Sequence, residues 1–270
     1  MYNTKIAIIG VGNMGNAIAH ALLDQKIILE EELILANPSF IEINAFAKTA
    51  VIQTTNNKQA AEQADILILA VKPQKVASVL SEIQTSLSSD KLIISIAAGV
   101  SVESLKKMLG NIKQPIIRSM PNLCLQVKES MTAWIASEGV TEGQKKAAIE
   151  IFTSFGKQIM LDKEPLLDVV TAISGSGPAY IFYLAEILEN AAIKLGIDQT
   201  LAEVISRQTI IGAATLLSNS KETPTALRDA VTSKGGTTEA ALAVFERDSL
   251  QDTFFAGINA AFNRAKELNK

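Results

Sequence analysis

Residues 5–15 read KIAIIGVGNMG, a short apolar strand that runs directly into a glycine-rich turn. The next segment, 16–23, reads as a helix, and this order is typical of the first βαβ unit of a dinucleotide-binding domain. Gly10 permits the tight turn, Gly12 lets the backbone approach a pyrophosphate, and Gly15 lets the helix pack closely on the strand. The diphosphate is expected at the helix N-terminus, where unpaired N–H groups and the helix dipole favour negative charge. A turn that serves only the fold is the alternative.

The composition excludes several classes of protein. The chain has 270 residues, of which 48% are hydrophobic and 20% charged, as in soluble globular proteins with one large or two modest domains. Its net charge of −3 offers no electrostatic surface for nucleic acid or acidic membranes. The apolar stretch 166–185 contains Asp168 and a glycine-rich break, so a buried helix–loop–helix explains it better than a membrane span.

The lone cysteine, Cys124, excludes an intramolecular disulfide and suits a reducing compartment. It reads as a small buried hydrophobe, with a reactive thiol as the alternative. The first apolar stretch is only strand-length, so no signal peptide is apparent. We therefore predict a cytoplasmic protein without membrane or nucleic-acid partners.

Further apolar runs recur at the spacing of a parallel sheet. They predict strands at 33–36, 50–52, 66–71, 92–96, 115–118, 131–135 and 157–161. Helical patterns between them fall near 40–48, 58–64, 73–87, 101–109 and 141–155. Because most of these runs are apolar at every position, the strands are expected to be covered on both faces. The predicted fold of residues 1–162 is an α/β doubly wound, Rossmann-type sheet that binds NAD(P).

Beyond residue 162 the pattern is helical throughout. The predicted helices lie near 165–173, 178–195, 198–219, 224–231, 235–247 and 249–268. Segment 210–217 is apolar around most of its circumference, and such a helix must be enclosed on all sides. We therefore predict that residues 163–270 form an all-α dimerisation domain, completed by a second copy of the chain.

The residues after the second strand bear on the choice of dinucleotide. NAD-binding units often carry an acidic residue there, whereas this chain has Asn37, Pro38 and Ser39. Neutral groups accept a 2′-phosphate without the repulsion that a carboxylate imposes, although no arginine lies beside them. The acidic triplet 30–32 precedes the strand and reads as a solvated face. The sequence favours NADPH, with NADH as the alternative.

Ligands of doubly wound sheets bind beyond the carboxyl ends of the strands. Segment 70–73 follows the fourth strand and contains Lys72, which could equally be a solvated cation. Segment 96–100 follows the fifth strand, and its small residues let the backbone approach a flat ring. Segment 118–122 follows the sixth. Each of these segments reads otherwise as a plain turn.

Two glycine-rich segments, 174–180 and 232–238, interrupt the helical half and lead into helices. Both offer backbone N–H groups to an anion. They could be plain helix caps, with Ser176 and Thr237 as the capping residues. Two such loops beside a nucleotide domain favour a carboxylate-binding site.

With these segments the chain resembles the pyrroline-5-carboxylate reductase family from end to end. The matching segments are 10–15, 70–73, 95–100, 120–122, 174–180 and 235–238. The resemblance implies hydride transfer from NADPH or NADH to the C=N bond of Δ1-pyrroline-5-carboxylate, giving L-proline in the last step of proline biosynthesis. It also implies a homodimer through the C-terminal helices, which in some members assembles into a decamer.

The resemblance assigns roles in the substrate site. It places the substrate carboxylate on the N–H groups of Gly236, Thr237 and Thr238, and the catalytic Thr238 hydroxyl by the ring nitrogen. Glu164 matches a carboxylate that faces the substrate, with a charge partner at a helix N-terminus as the alternative. Ser174 lines the pocket.

No metal is expected. The turn and the resemblance together predict one set of cofactor-binding positions. They are Gly10, Val11, Gly12, Asn13, Met14, Gly15, Asn37, Ser39, Asn57, Ala70, Val71, Lys72, Pro73, Ala97, Ala98 and Gly99. His20 is the one histidine and is expected to be packed or on the surface. A protonated cyclic imine accepts hydride readily, so alignment of the reactants suffices, a contribution of up to about 7–11 kcal/mol.

One residue departs from the family pattern, and two rival functions stay open. Lys234 replaces the proline that usually precedes the glycine pair, which loosens the loop and brings a cation near an anionic substrate. One rival is another NADP-dependent imine or β-hydroxyacid reductase. The β-hydroxyacid enzymes use a catalytic lysine on a helix of the C-terminal domain, and no convincing motif surrounds the candidates Lys194 and Lys221. The other rival is an NADP-sensing scaffold without turnover, which the intact loop 235–238 disfavours.

Overall fold

The computed structural model describes residues 4–39, 46–111 and 113–268. The strands are β1 Ile6–Ile9, β2 Leu33–Ala36, β3 Ile52–Thr54, β4 Ile66–Leu69, β5 Leu92–Ser95, β6 Ile116–Met120, β7 Ser130–Ala136 and β8 Gly156–Met160. The helices are α1 Asn13–Asp24, α2 Asn57–Gln63, α3 Pro73–Ile83, α4 Val102–Leu109, α5 Glu142–Thr153, α6 Leu166–Val170, α7 Gly177–Lys194, α8 Gln199–Asn219, α9 Pro224–Ala230, α10 Thr237–Arg247 and α11 Leu250–Leu268. The predicted helix near 40–48 falls mainly on residues 40–45, which lie outside the described residues.

The strands form one sheet in the order β3-β2-β1-β4-β5-β6-β7-β8, and all neighbours are parallel except β6 and β7. Successive side chains of β1 enter two separate cores, with Ile6 and Ile8 on one face and Ala7 and Ile9 on the other. Helices α1 and α5 cover the first face, while α2, α3 and α4 cover the second. The predicted doubly wound sheet with a helical C-terminal region is therefore confirmed.

Local signals in the sequence fix many helix ends. Ser101 and Thr141 cap α4 and α5 by accepting the N–H three residues later, and Thr141 forms a reciprocal capping box with Gln144. Gly110 ends α4 in the left-handed conformation that glycine adopts without strain. The third strand is the element that differs most from its prediction, since it begins at Ile52, where the predicted strand ends.

Contacts divide the chain into two compact units. The sheet unit comprises Met1–Ser176 together with Ala261–Lys270, and the helical unit comprises Gly177–Ala260. The stretch 166–185 is resolved into α6, a π-helical turn at Thr171–Gly175 and the start of α7. No described helix is both long and apolar enough to cross a membrane. The predicted domain boundary after residue 162 stays a prediction.

The helical unit, all of which is described, buries very little. Within it only Ala202 and Ser206, both on α8, are buried. Large apolar side chains on α7 and α8 are exposed, including Phe182 (60%), Tyr183 (63%) and Ile211 (56%). The unit therefore has no hydrophobic core of the kind that stabilises the sheet unit.

Candidate functional site

The turn after β1 contains three glycines, of which two have no room for a side chain and the third has room for one. Gly10 has φ +96°, and a Cβ there would lie 2.6 Å from the Val71 Cγ1 atom. A Cβ on Gly15 would overlap the carbonyl oxygen of Gly10, whereas nothing lies within 4 Å of the same position on Gly12. Gly12 precedes α1 and brings no capping side chain. The helix N-terminus is thus open to an anionic group.

Asn37, at the end of β2, holds this turn in place. Its buried side chain accepts a hydrogen bond from the Val11 N–H at 3.2 Å and donates one to the Ser39 carbonyl at 3.1 Å. Its own N–H donates to the Thr54 carbonyl at 3.1 Å. Asn37 is predicted from the sequence to contact the cofactor as a neutral group near the ribose, and the structure adds a role in supporting the glycine turn.

The loop after β5 contains Ala97, which is buried, and the half-buried Ala98 and Gly99. Gly99 has φ +72°, and a Cβ there would lie 2.6 Å from the Leu268 Cβ at the end of α11. The close approach at Gly99 is therefore made by the chain itself. Ala97 and Ala98 keep their predicted role beside a flat ring as a prediction.

Two further cofactor candidates lie on helix starts of the sheet unit. Lys72 is exposed and directly precedes Pro73, the first residue of α3. Asn57 begins α2 and donates from Nδ2 to the Glu82 Oε2 at 2.9 Å. Among the described residues, the buried Asn57 Oδ1 has no hydrogen-bond partner. A buried oxygen without a donor is a place where a ligand donor would be stabilised.

The carboxyl ends of β2, β1, β4 and β5 lie side by side in the sheet. Each of these four strands is followed by one candidate segment, so all four segments lie along the same edge of the sheet. The segments are the glycine turn, 37–39, 70–73 and 97–99. An open helix N-terminus suits a diphosphate, and the unpartnered Asn57 oxygen suits a donor. The residues of this edge therefore fit a dinucleotide.

An ion cluster around the buried Arg118 joins β6 to Glu164, which precedes α6, and to Asp168 within α6. Arg118 Nη1 lies 2.8 Å from Glu164 Oε1, and Arg118 Nη2 lies 3.6 Å from Asp168 Oδ1. The same Glu164 oxygen accepts the N–H of Val102, the first residue of α4, at 2.8 Å. Glu164 is thus a charge partner at the N-terminus of α4, which was the alternative to a substrate contact. Its predicted contact with substrate stays a prediction.

Asn122, which follows β6, positions the turn that contains Ser174. Its Nδ2 donates to the Ser174 carbonyl at 3.1 Å and to Ser174 Oγ at 3.2 Å. A Cβ on Gly175 would lie 2.7 Å from the Met120 Cε, so the flexible Met120 side chain packs closely against the turn at this position. The end of β6 therefore supports the π-helical turn from two sides.

The second glycine-rich loop lies in the helical unit and leads into α10. Gly236 occupies the cap position, so the alternative in which Thr237 caps the helix is wrong. Thr237 and Thr238 are the first two helical residues, and their N–H groups are among those that an α-helix leaves unpaired. The Gly235 N–H is occupied, since it donates to the Glu239 carboxylate at 2.6 Å.

The single histidine and the single cysteine each contact a neighbouring residue. His20 is exposed and stacks on Phe46 with ring centroids 4.6 Å apart. Cys124 is half-buried, and its N–H donates to the Asn122 side chain at 3.1 Å. In the described part of the chain, no three His, Cys, Asp or Glu residues are grouped to hold a metal ion.

Comparison with known proteins bears on both units. The family model described as pyrroline-5-carboxylate reductase dimerisation matches residues 164–268, and the model described as NADP oxidoreductase, coenzyme F420-dependent, matches residues 5–99. Pyrroline-5-carboxylate reductase of Haemophilus influenzae is 37% identical over 99% of this chain and 98% of its own length. The chain belongs to the pyrroline-5-carboxylate reductase family.

Solved structures of the pyrroline-5-carboxylate reductase family agree in fold over the whole chain. The Coxiella burnetii member has a TM-score of 0.92 at 37% identity, with 99% of each chain covered. The Plasmodium falciparum member, whose structure has NADP bound, has a TM-score of 0.89 at 32% identity, with 100% of each chain covered.

In this member of the pyrroline-5-carboxylate reductase family, the predicted site residues fall in both units. The cofactor candidates, Glu164 and Ser174 lie in the sheet unit, whereas Gly236, Thr237 and Thr238 lie in the helical unit. Sequence reasoning missed the supporting roles of Arg118, Asn122 and Glu239. An arginine at the end of an otherwise apolar strand was the only signal available for Arg118.

Proposed function

We propose that this chain reduces the C=N bond of Δ1-pyrroline-5-carboxylate with NADPH, or less readily NADH, to give L-proline. The proposal rests on the family relationship, which extends over nearly the whole chain, for example at 37% identity to the Haemophilus influenzae member. The open N-terminus of α1 and the edge that gathers segments 37–39, 70–73 and 97–99 support nucleotide binding by the sheet unit.

In this proposal the sheet unit holds the cofactor, which supplies the hydride when bound. The N–H groups of Asn13, Met14 and Gly15 bind the diphosphate at the start of α1. Asn37 keeps the turn in shape through its bond to Val11. Segment 37–39 carries no carboxylate, which supports tolerance of a ribose 2′-phosphate.

The helical unit is proposed to hold the substrate. The N–H groups of Thr237 and Thr238 bind the carboxylate at the N-terminus of α10, where the helix dipole favours an anion. Gly236 shapes this site through the turn, because its own N–H donates to the Ser233 carbonyl at 2.9 Å. The Thr238 hydroxyl donates to or relays a proton at the ring nitrogen. Ser174 is proposed to line the pocket, held by Asn122. Because the iminium accepts hydride readily, these residues need mainly to orient it.

The proposal includes a homodimer through the C-terminal helices. The exposed apolar side chains of α7 and α8 support it, because large apolar side chains exposed in number on neighbouring helices mark an interaction site. Assembly of such dimers into a decamer, residence in the cytoplasm and a domain boundary after residue 162 are further parts of the proposal. Light scattering that gives a single-chain mass at micromolar concentration would contradict the dimer.

The test is absorbance at the reduced-nicotinamide band, with Δ1-pyrroline-5-carboxylate and either NADPH or NADH. Substrate-dependent oxidation, faster with NADPH, is expected. Equal or faster oxidation of NADH would contradict the interpretation of segment 37–39. If a protein that binds NADPH oxidises neither cofactor, the function would instead be that of an NADP-sensing scaffold or of another reductase.

A further inference from the structure

The loop before α10 is a tight turn with a definite geometry. The Gly236 N–H donates to the Ser233 carbonyl at 2.9 Å, which closes a four-residue turn with Lys234 and Gly235 at its centre. Gly235 has φ +73°, and Lys234 is not among the described residues with positive φ. A positive φ at only the third position is the pattern of a type II turn. The loop therefore depends on a glycine that also has many other conformations open to it.

Glu239 restrains this turn from within α10. Its Oε2 accepts the Gly235 N–H at 2.6 Å, so a helical side chain reaches back over the cap residue to the centre of the turn. Glu239 is the third residue of α10, where a carboxylate is also stabilised by the helix dipole. The bond resembles half of a capping box, displaced by one residue toward the turn.

We propose that Glu239 is a positioning residue that keeps the Gly235–Gly236 turn in the conformation that receives the substrate carboxylate. This inference rests on the proposed function of the loop. The bond leaves the N–H groups of Thr237 and Thr238 to the substrate, because it engages only Gly235. Without it, two adjacent glycines would sample conformations in which those groups do not converge, and substrate binding would weaken.

Lys234 occupies the position at which the same restraint could come from the backbone. It is the second residue of the turn, where proline is favoured because its ring fixes φ near −65°. Among the described residues, the Lys234 N–H donates no hydrogen bond that a proline would remove. A proline at this position should therefore replace the restraint that Glu239 supplies.

The experiment compares Glu239→Ala, Glu239→Gln and the double variant Glu239→Ala/Lys234→Pro. Glu239→Ala is expected to raise KM for the imine about two- to fivefold with kcat nearly unchanged, the scale of one exposed charge at a helix terminus. Glu239→Gln keeps an oxygen that accepts the Gly235 N–H and should stay within about twofold of the parent. The added proline should restore KM, whereas Lys234→Ala in the same background should not.

Two controls separate this inference from its alternatives. Glu142→Ala removes an exposed carboxylate from the first turn of α5 and should leave KM unchanged. Amide exchange at Gly235, followed by NMR, should accelerate in Glu239→Ala whether or not the protein turns over pyrroline-5-carboxylate. Unaltered exchange, an unaltered KM, or a failure of proline to restore it would overturn the inference. A parent protein without turnover would instead contradict the proposed function.

Discussion

The sheet unit and the helical unit bury their apolar residues to very different extents. In the sheet unit, every residue of β1, β2, β4 and β5 is buried, and helices cover both faces. In the helical unit, α7 has no buried residue at all. Both regions are rich in apolar side chains, so composition alone does not explain the difference. The sheet unit buries a hydrophobic core within one chain, whereas the exposed apolar surface of the helical unit agrees with the match of residues 164–268 to a dimerisation domain.

The largest expected effect is therefore on the helical unit. Val204 and Ile211 lie seven residues apart on one side of α8 and are 59% and 56% exposed. The double variant Val204→Asp/Ile211→Asp would bury two unpaired charges in the proposed interface, and the dimer dissociation constant should rise roughly 10⁴-fold. Sedimentation equilibrium measures it. Ile149→Asp, on α5 of the sheet unit, is the matched control and should leave the mass unchanged. A stable dimer of the double variant would show that this side of α8 is not the dimer interface.

The second prediction concerns charge burial. Arg118 is buried between two carboxylates in the sheet unit, while Arg247 forms an exposed pair with Asp248 in the helical unit. Arg118→Met removes a buried guanidinium from beside Glu164 and Asp168 and should lower the free energy of unfolding by about 3–5 kcal/mol. Arg247→Met should lower it far less, because an exposed ion pair is screened by water. Urea denaturation of the two variants measures both, and equal losses would contradict the prediction.

The glycine turn sharpens the comparison within the sheet unit. Gly15→Ala forces a Cβ into the Gly10 carbonyl and should lower the free energy of unfolding by about 3 kcal/mol. Gly12→Ala meets no neighbouring atom, so it should cost less than about 1 kcal/mol. It should nevertheless weaken NADPH binding, because the methyl group enters the space proposed for the diphosphate. Thermal unfolding and calorimetric titration separate the two effects. Normal NADPH affinity in a folded Gly12→Ala variant would show that the diphosphate does not bind at this turn.

The smallest effect is expected from the hydroxyl proposed to act in catalysis. Thr238→Ala removes one hydrogen bond to the ring nitrogen and should lower kcat about tenfold, equivalent to about 1.4 kcal/mol. The NADPH dissociation constant should change less than kcat, because the proposed cofactor residues lie in the sheet unit. Stopped-flow turnover and fluorescence titration measure the two quantities. An unchanged kcat would exclude Thr238 from the chemistry.

The sequence predicted the strands because their apolar runs are continuous, which is the pattern of strands covered on both faces. It did not predict that β7 runs antiparallel to β6, since an apolar run reads the same for either direction. The third strand was misplaced because it is short and only partly buried, with a polar residue, Gln53, at its centre.

The candidate site was predictable where a backbone conformation demands a particular residue. Gly10 and Gly15 are such positions, since a side chain at either would meet the backbone of a neighbouring segment. The supporting contacts were not predictable, because they join residues far apart in the chain. Arg118 and Glu164 are separated by 46 positions, and nothing in their local sequence pairs them.

The close approach of Leu268 to Gly99 determines which residues a fragment of the sheet unit must contain. The chain leaves the sheet unit after Ser176 and returns to it at Ala261, so the helical unit is inserted between two parts of the sheet unit. A fragment that ends at residue 176 would lack Leu268 and expose the loop after β5 to water. A fragment meant to isolate the sheet unit should therefore contain residues 261–268 as well as the chain up to Ser176.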